Sequence, residues 1–230
     1  MIDIHAHILP EVDDGSRSME ESLALLKESS QQGISDVVLT PHYRGNYLTE
    51  RKELEEKFAA LKEKAEQAGI PVRLYLGQEI YLDKDFKEFI TTTETLDLNG
   101  SGYILVEFDF YEDTDIADVV YELNGLGYKK VIVAHFERYF HADLSDARSV
   151  KDVGGYIQVN ADSILGKEGR AIKKKVMALF ENGLVDFVAG DVHHNRENCM
   201  AKAFKVIKRK FGEIVANKVF LKNASKIIKG

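Results

Sequence analysis

MIDIHAHILPEVDDG, residues 1–15, carries His5, His7, Asp13 and Asp14 on a segment whose other residues read as the start of a buried strand. Side chains two apart on a strand project to the same side, so His5 and His7 share one face while Ile4 and Ala6 turn the other way. The stretch predicts two imidazoles aimed together into the interior, Ile2 and Ile4 in the strand wall, and Asp14 leaning in from the loop. Asp13 is a further candidate in the same loop. As a bare pattern His-x-His is only moderately specific, and its weight depends on what later strands bring.

Outward from this strand, short β-rich runs alternate with longer amphipathic segments. SMEESLALLKESSQQG (18–33) is a helix ended by Gly33, SDVVLT (35–40) a second strand, and TERKELEEKFAALKEKAEQAG (49–69) a helix with Thr49 as N-cap and Gly69 as terminator. PVRLYLGQEI (71–80), YILVEF (103–108), KKVIVAH (129–135), GYIQVN (155–160) and LVDFVAGD (184–191) supply strands three to seven, separated by helices, including one expected from about Ser163 to Asn182. Two or three helices close the chain after Cys199. Seven βα units imply a parallel sheet covered by helices, and no Pro/Ser-rich linker divides residues 1–230, so one domain is expected.

The strand ends choose between a closed barrel and an open doubly wound sheet. Strand one delivers His5 and His7 with Asp14 after it; strands two to five end in His42, Glu79, Glu107 and His135; strand seven ends in Asp191, His193 and His194. Strand six ends only in Asn160. Strand C-termini of a (β/α) barrel converge on one face, whereas an open sheet spreads them along a line, so the barrel is favoured. A lone carboxylate in an apolar strand costs several kcal/mol unless paired or metal-bound; a salt bridge would satisfy one instance, but Glu79 and Glu107 recur on successive strands. His141, in the polar stretch YFHADLSD (139–146), is assigned to an ordinary surface loop.

Composition narrows the chemistry. With 230 residues and 44% hydrophobic content the chain can bury a continuous core; with net charge -7 and no dense basic stripe it is not expected to bind nucleic acid. AIKKKVMALF (171–180) and FKVIKRKF (204–211) are read as solvated faces of amphipathic helices. The single Cys199 excludes an intrachain disulfide and a thiolate cluster, and it is followed by MAKAF rather than the pattern of a cysteine phosphatase. No apolar stretch would span a bilayer, so a soluble cytoplasmic protein without membrane insertion is expected. Imidazole and carboxylate donors without sulfur suit Mn²⁺, Fe²⁺ or Zn²⁺, and nine donors, His194 left aside, exceed the need of one ion, which implies two or three ions bridged by a carboxylate and a water or hydroxide.

The blocks DIHAHILPEVDDG, TPH, GQEI, LVEF, AHFERY, QVNADSILG and GDVHHN, spread over the whole chain, resemble the PHP (polymerase and histidinol phosphatase) superfamily, and within it the bacterial capsule-locus tyrosine phosphatases of the CpsB/YwqE type. The resemblance implies a distorted (β/α)7 TIM-like barrel holding up to three divalent ions, usually Mn²⁺, with Fe²⁺, Zn²⁺ or Mg²⁺ as alternatives. Its metal ligands would be His5, His7, Asp14, His42, Glu79, Glu107, His135, Asp191 and His193. Asp13 has no place in that set, which leaves it either a plain loop residue or one that supports the ligands. Arg138 matches an arginine that contacts the substrate phosphate, Arg196 is the nearest candidate for a second, and His194 or a water would assist the leaving group. The family block is closer to AHPER, and Phe136 in the proline's place is expected to reshape the pocket rim. The activity implied is hydrolysis of phosphotyrosine by a metal-bridging hydroxide, on the tyrosine-rich tail of a capsule or exopolysaccharide kinase. The rival activities are a histidinol-phosphate phosphatase, a phosphodiesterase, and a non-catalytic metal-binding scaffold.

Overall fold

The computed structural model describes residues 1–229. Its strands are β1 (Ile2–Ala6), β2 (Asp36–Leu39), β3 (His42–Tyr43), β4 (Arg73–Leu76), β5 (Glu79–Tyr81), β6 (Tyr103–Glu107), β7 (Lys130–Val133), β8 (Tyr156–Asn160) and β9 (Phe187–Ala189). They form two parallel sheets, β1-β2-β4 and β3-β5-β6-β7-β8-β9. The second and third expected strands thus each arrive in two pieces. Pro41, which lacks an N–H, lies in the gap between β2 and β3, and Gly77 and Gln78 separate β4 from β5. The sheets curl so that the first strand also meets the last: Asp191 N–H donates to His5 O at 2.8 Å, His7 N–H donates to Val192 O at 2.9 Å, and Ala6 and Val192 form a parallel bridge.

Two apolar bodies stabilise this mixed α/β arrangement. The larger lies between strands and helices and includes Leu26, Leu39, Leu61, Ile80, Val106, Val133, Leu179 and Ile207. The smaller gathers Ile2, Ile4, Val38, Leu105, Ile132 and Phe187, closed off by Ala224 and Ile227 from the C-terminal helices. Tyr103 and Leu105 belong to it, and Glu107 follows in the same alternation, as Asp191 follows Phe187 and Ala189. The candidate ligands therefore stand at the end of an apolar stack, each of whose large side chains contributes about 1.5–3 kcal/mol when buried.

Three local expectations change. Ile4 joins the smaller body and Ala6 the larger, because the β1–β2 register shifts between Asp3 and Ala6 and interrupts the simple alternation. The single helix expected from Ser163 to Asn182 is two, Ala161–Leu165 and Arg170–Glu181, separated by Gly166 and Gly169 with φ of 84° and 103°. Helix Arg51–Gln67 begins at Glu50 without a side-chain cap, so Thr49 does not fill that role. The Lys-rich segments lie in helices Arg170–Glu181 and Met200–Phe211. No helix among the described residues is long and apolar enough to cross a membrane.

Candidate metal centre

Every proposed ligand lies at or beyond the C-terminal end of a strand piece, or at the start of the piece that resumes it. His5 and His7 come from β1, His42 and Glu79 open β3 and β5, Glu107 closes β6, His135 follows β7, and Asp191 and His193 follow β9. His135 and Asp191 hold φ of 28° and 49°, a region that costs non-glycine residues of order 1–3 kcal/mol unless the surroundings enforce it. Two glycines permit the close approach. A Cβ on Gly15 would lie 2.1 Å from His7 O, and one on Gly190 would lie 2.4 Å from Asp3 Oδ2.

Glu79 is the hub. Its carboxylate lies 3.2 Å from His5 Nε2, 3.4 Å from His7 Nε2, 2.8 Å from His42 Nδ1 and 2.9 Å from His135 Nε2. Glu107 approaches His42 at 3.7 Å and His135 at 3.5 Å, and Asp191 approaches His5 at 3.6 Å and His193 at 3.4 Å. Asp14, half exposed on its loop, faces His42 at 3.4 Å and His193 at 3.7 Å. Three overlapping groups result, His7/Asp14/His42/His193, His5/His7/Glu79 and His42/Glu79/Glu107, each with donor atoms mutually within 4.8 Å.

Hydrogen-bond bookkeeping tests whether these residues suit a metal. Gln158 Oε1 accepts from His135 N–H at 2.9 Å and faces His5 Nδ1 at 3.1 Å, so the neutral His5 ring carries its hydrogen on Nδ1. Asp13 Oδ2, 2.7 Å from His7 Nδ1, fixes the same tautomer there. The two remaining Nε2 lone pairs then face each other across 3.0 Å, which is repulsive unless a cation lies between them. Glu79 Oε2 and His42 Nδ1 are buried without a hydrogen-bond partner despite their 2.8 Å separation, and His135 Nδ1 is likewise unpartnered. The donors fit divalent ions.

The electrostatics agree. Burial opposes charge on every group, and neighbours decide the outcome. It is overcome at His7 by Asp13 and Glu79 and at His5 by Glu79 and Asp191, so both imidazoles are raised toward protonation. It prevails at His42, which is lowered, and at His135, lowered to about 4. Against burial, His5 and His42 hold the Glu79 carboxyl well below its ordinary value, and His5, His193 and Arg196 do the same for Asp191. Burial and the adjacent Glu79 push Glu107 up to about 8. Protons occupy places that divalent cations would take.

A surrounding layer orients this cluster. Asp13, besides holding His7, accepts His42 N–H at 2.9 Å, in line with its supporting reading. Strand β8 contributes through hydrogen bonds: Gln158 Nε2 donates to Asn160 Oδ1 at 2.8 Å, and Asn160 Nδ2 donates to Asp191 Oδ2 at 2.8 Å. Sequence reasoning missed Gln158, although two amides two apart in the apolar run YIQVN were the available signal. Three arginines reach the carboxylates. Arg138 lies 3.4 Å and Arg196 2.6 Å from Asp191, while Arg44, also missed, lies 3.2 Å from Glu107.

The other named residues resolve differently. His194 Nδ1 contacts the Asp14 and Gly15 carbonyls at 3.1 and 2.9 Å, so it pins the Asp14 loop rather than joining the carboxylates. Phe136 is fully buried, edge-on to Tyr139 and beneath the Lys175 ammonium, so it packs in the core and does not form the rim. His141 lies in a turn and is partly buried, as the surface-loop reading expects, but both its ring nitrogens are shielded from solvent without a partner. Cys199 is buried at the start of helix Met200–Phe211.

The family model for capsular polysaccharide synthesis, CpsB/CapC, matches residues 1–229. The chain is 35% identical over 240 residues to tyrosine-protein phosphatase CpsB of Streptococcus agalactiae serotype III (strain NEM316), covering 100% of this chain and 98% of that one. It is 32% identical over 218 residues to tyrosine-protein phosphatase YwqE of Bacillus subtilis (strain 168), covering 92% and 85%. Its fold matches, with a TM-score of 0.90, 28% identity and coverage of 100% and 94%, a solved structure from a study of YwqE from Bacillus subtilis and CpsB from Streptococcus pneumoniae, described as unique metal-dependent tyrosine phosphatases.

Proposed function

The chain belongs to the CpsB/CapC family, and on that footing we propose that it is a metal-dependent protein-tyrosine phosphatase. The observation that carries this is Glu79, ringed by four imidazoles, two of whose lone pairs face each other at 3.0 Å. We read residues 1–230 as one domain and the curled sheets as a distorted (β/α)7 barrel, a reading supported by the Ala6–Val192 bridge between the first strand and the segment just past the last. His5, His7, Asp14, His42, Glu79, Glu107, His135, Asp191 and His193 would hold two or three divalent ions, with Mn²⁺ as the reading the family suggests. Ions bound there would supply Lewis-acid charge and a hydroxide nucleophile near neutral pH.

The chain's own groups then act on the ester. Arg138 and Arg196 converge on Asp191, where a guanidinium's planar fork suits phosphate oxygens. Gln158 and Asn160 keep His5 and Asp191 oriented, and His194 holds the Asp14 loop. The tyrosine phenolate, with a pKa of about 10, leaves with little protonation help. The physiological substrate we propose is the tyrosine-rich tail of a polysaccharide-synthesis kinase, met in the cytoplasm.

The test is turnover by protein reconstituted with Mn²⁺, comparing a phosphotyrosine peptide, histidinol phosphate and an oligonucleotide. Preference for the peptide is expected. Activity confined to either other substrate would replace the reading with another phosphatase or a phosphodiesterase, and none with any would leave a metal-binding scaffold.

A further inference from the structure

The rim of the same mouth carries a feature that the metal centre does not use. Tyr111 and Phe140, on the loops after β6 and β7, stack with ring centroids 5.1 Å apart and planes 14° apart, yet are 79% and 66% exposed. Phe140 N–H donates to Phe110 O at 2.9 Å, tying the two loops together. Phe110 in turn lies 4.5 Å from the Arg138 guanidinium and 5.5 Å from the His135 ring. The stack therefore continues the wall of the centre outward by one residue. Aromatic surface left in water at the lip of a site marks a contact surface, because covering it is worth about 25 cal/mol per Å².

Beyond the stack opens a cavity of about 660 Å³, lined by Asp113, Asp115, Asp118, Tyr121, His141 and Asp146 among others. From Glu107 to Tyr128 the sequence holds seven carboxylates and no lysine or arginine. Arg44 pairs with Glu107 and Lys87 with Glu122. Asp109, Glu112, Asp113, Asp115 and Asp118 form no ion pair among the described residues, so their field is open to a ligand. His141 lines this cavity, although its ring nitrogens are turned away from solvent. An acidic peptide would be repelled here; a peptide bringing an aromatic ring and positive charge matches both surfaces. At about 3.3 Å per residue, an extended peptide with its phosphate at Arg138 carries its next few residues over the stack and toward the cavity.

We propose that Tyr111, Phe140 and the carboxylates beyond them dock the substrate peptide, taking an aromatic side chain and a cationic residue that flank the phosphotyrosine. This rests on the phosphatase reading above.

The experiment uses Mn²⁺-loaded full-length protein with two phosphotyrosine peptides differing only in flanks, one with phenylalanine and two lysines, the other with alanine and two glutamates. A small aryl phosphate is the reference substrate. The expected result is a KM about tenfold lower for the first peptide, with kcat alike and the gap shrinking in high salt. Tyr111→Ala with Phe140→Ala should raise the KM of the first peptide about three- to tenfold. Glu112→Lys with Asp113→Lys, at exposed positions that cap no helix, should reverse the charge preference. Equal KM values for both peptides, a gap that survives these substitutions, or a change in oligomeric state in place of a change in KM overturns the proposal while aryl phosphate turnover leaves the phosphatase reading standing. No turnover of any phosphate ester overturns both.

Discussion

The floor and the rim of the mouth are both rich in carboxylates, and they treat them in opposite ways. On the floor, Glu79, Glu107 and Asp191 are at most 3% exposed, each within 4 Å of imidazoles or guanidinium groups. On the rim, Glu112 and Asp113 stand in water, beside aromatic rings that are covered only by each other and remain largely exposed. Burial makes unpaired charge expensive, so the floor requires cations to complete it, whereas the rim's charges persist unpaired at little cost because water screens them. On the reading proposed above, the floor serves chemistry and the rim serves recognition.

The strongest way to break the comparison is Asp191→Ala or His5→Ala. Either should lower turnover by roughly 10³-fold or more, on the scale of losing a contact to transition-state charge, while circular dichroism shows the fold retained. Retention is expected because the apolar stack of Ile4, Leu105 and Phe187 lies beneath the donors and does not depend on them. Unchanged turnover in either variant would remove the floor from the chemistry.

Next in size is Gln158→Leu, which deletes the acceptor for His5 Nδ1–H and His135 N–H. Isothermal titration with Mn²⁺ should find affinity about 10- to 100-fold weaker. An unaltered affinity would mean that β8 only packs.

A smaller, graded effect concerns pH. Glu107 has an ordinary value of 4.5 and is pushed up to about 8 by burial and Glu79. Between about pH 4.5 and 8 the metal-free folded protein therefore holds a proton that the unfolded chain has lost, and this group's contribution to stability falls as pH rises. Metal binding must expel that proton, and the protons of His5 and His7, whose pKa values are also raised. Affinity for Mn²⁺ should climb by up to about tenfold per pH unit for each proton released, levelling near pH 8 for Glu107. Calorimetry in buffers of different ionisation enthalpy reads the release directly; none at pH 7 would contradict the crowded floor.

The smallest effect belongs to the rim. Tyr111→Ala should change unfolding free energy by less than about 0.5 kcal/mol in urea titration, since the ring is 79% exposed. A larger loss would make the stack a structural element.

Much of this was legible before any coordinates. The donors could be named because each follows a recognisable β-rich run, and buried carboxylates such as Glu79 and Glu107 are rare enough in apolar strands to demand a partner. Gln158 was not legible as an orienting group, since an amide in a strand has many ordinary roles and only its distance to His5 assigns one. Phe136 is expected at the rim only because it stands in the place of the family block's proline, while the turn at Phe136–Arg138 rotates that ring into the core.

The sequence by itself determined the order of β and α segments and which imidazoles and carboxylates were candidate donors, because periodicity and residue chemistry are local properties of the chain. Only the tertiary structure decided that Glu79 is the hub, that Arg138 and Arg196 share Asp191, and that Tyr111 meets Phe140. These relations join residues 5 to 74 positions apart, and they depend on how far the curled sheet brings its strand ends together.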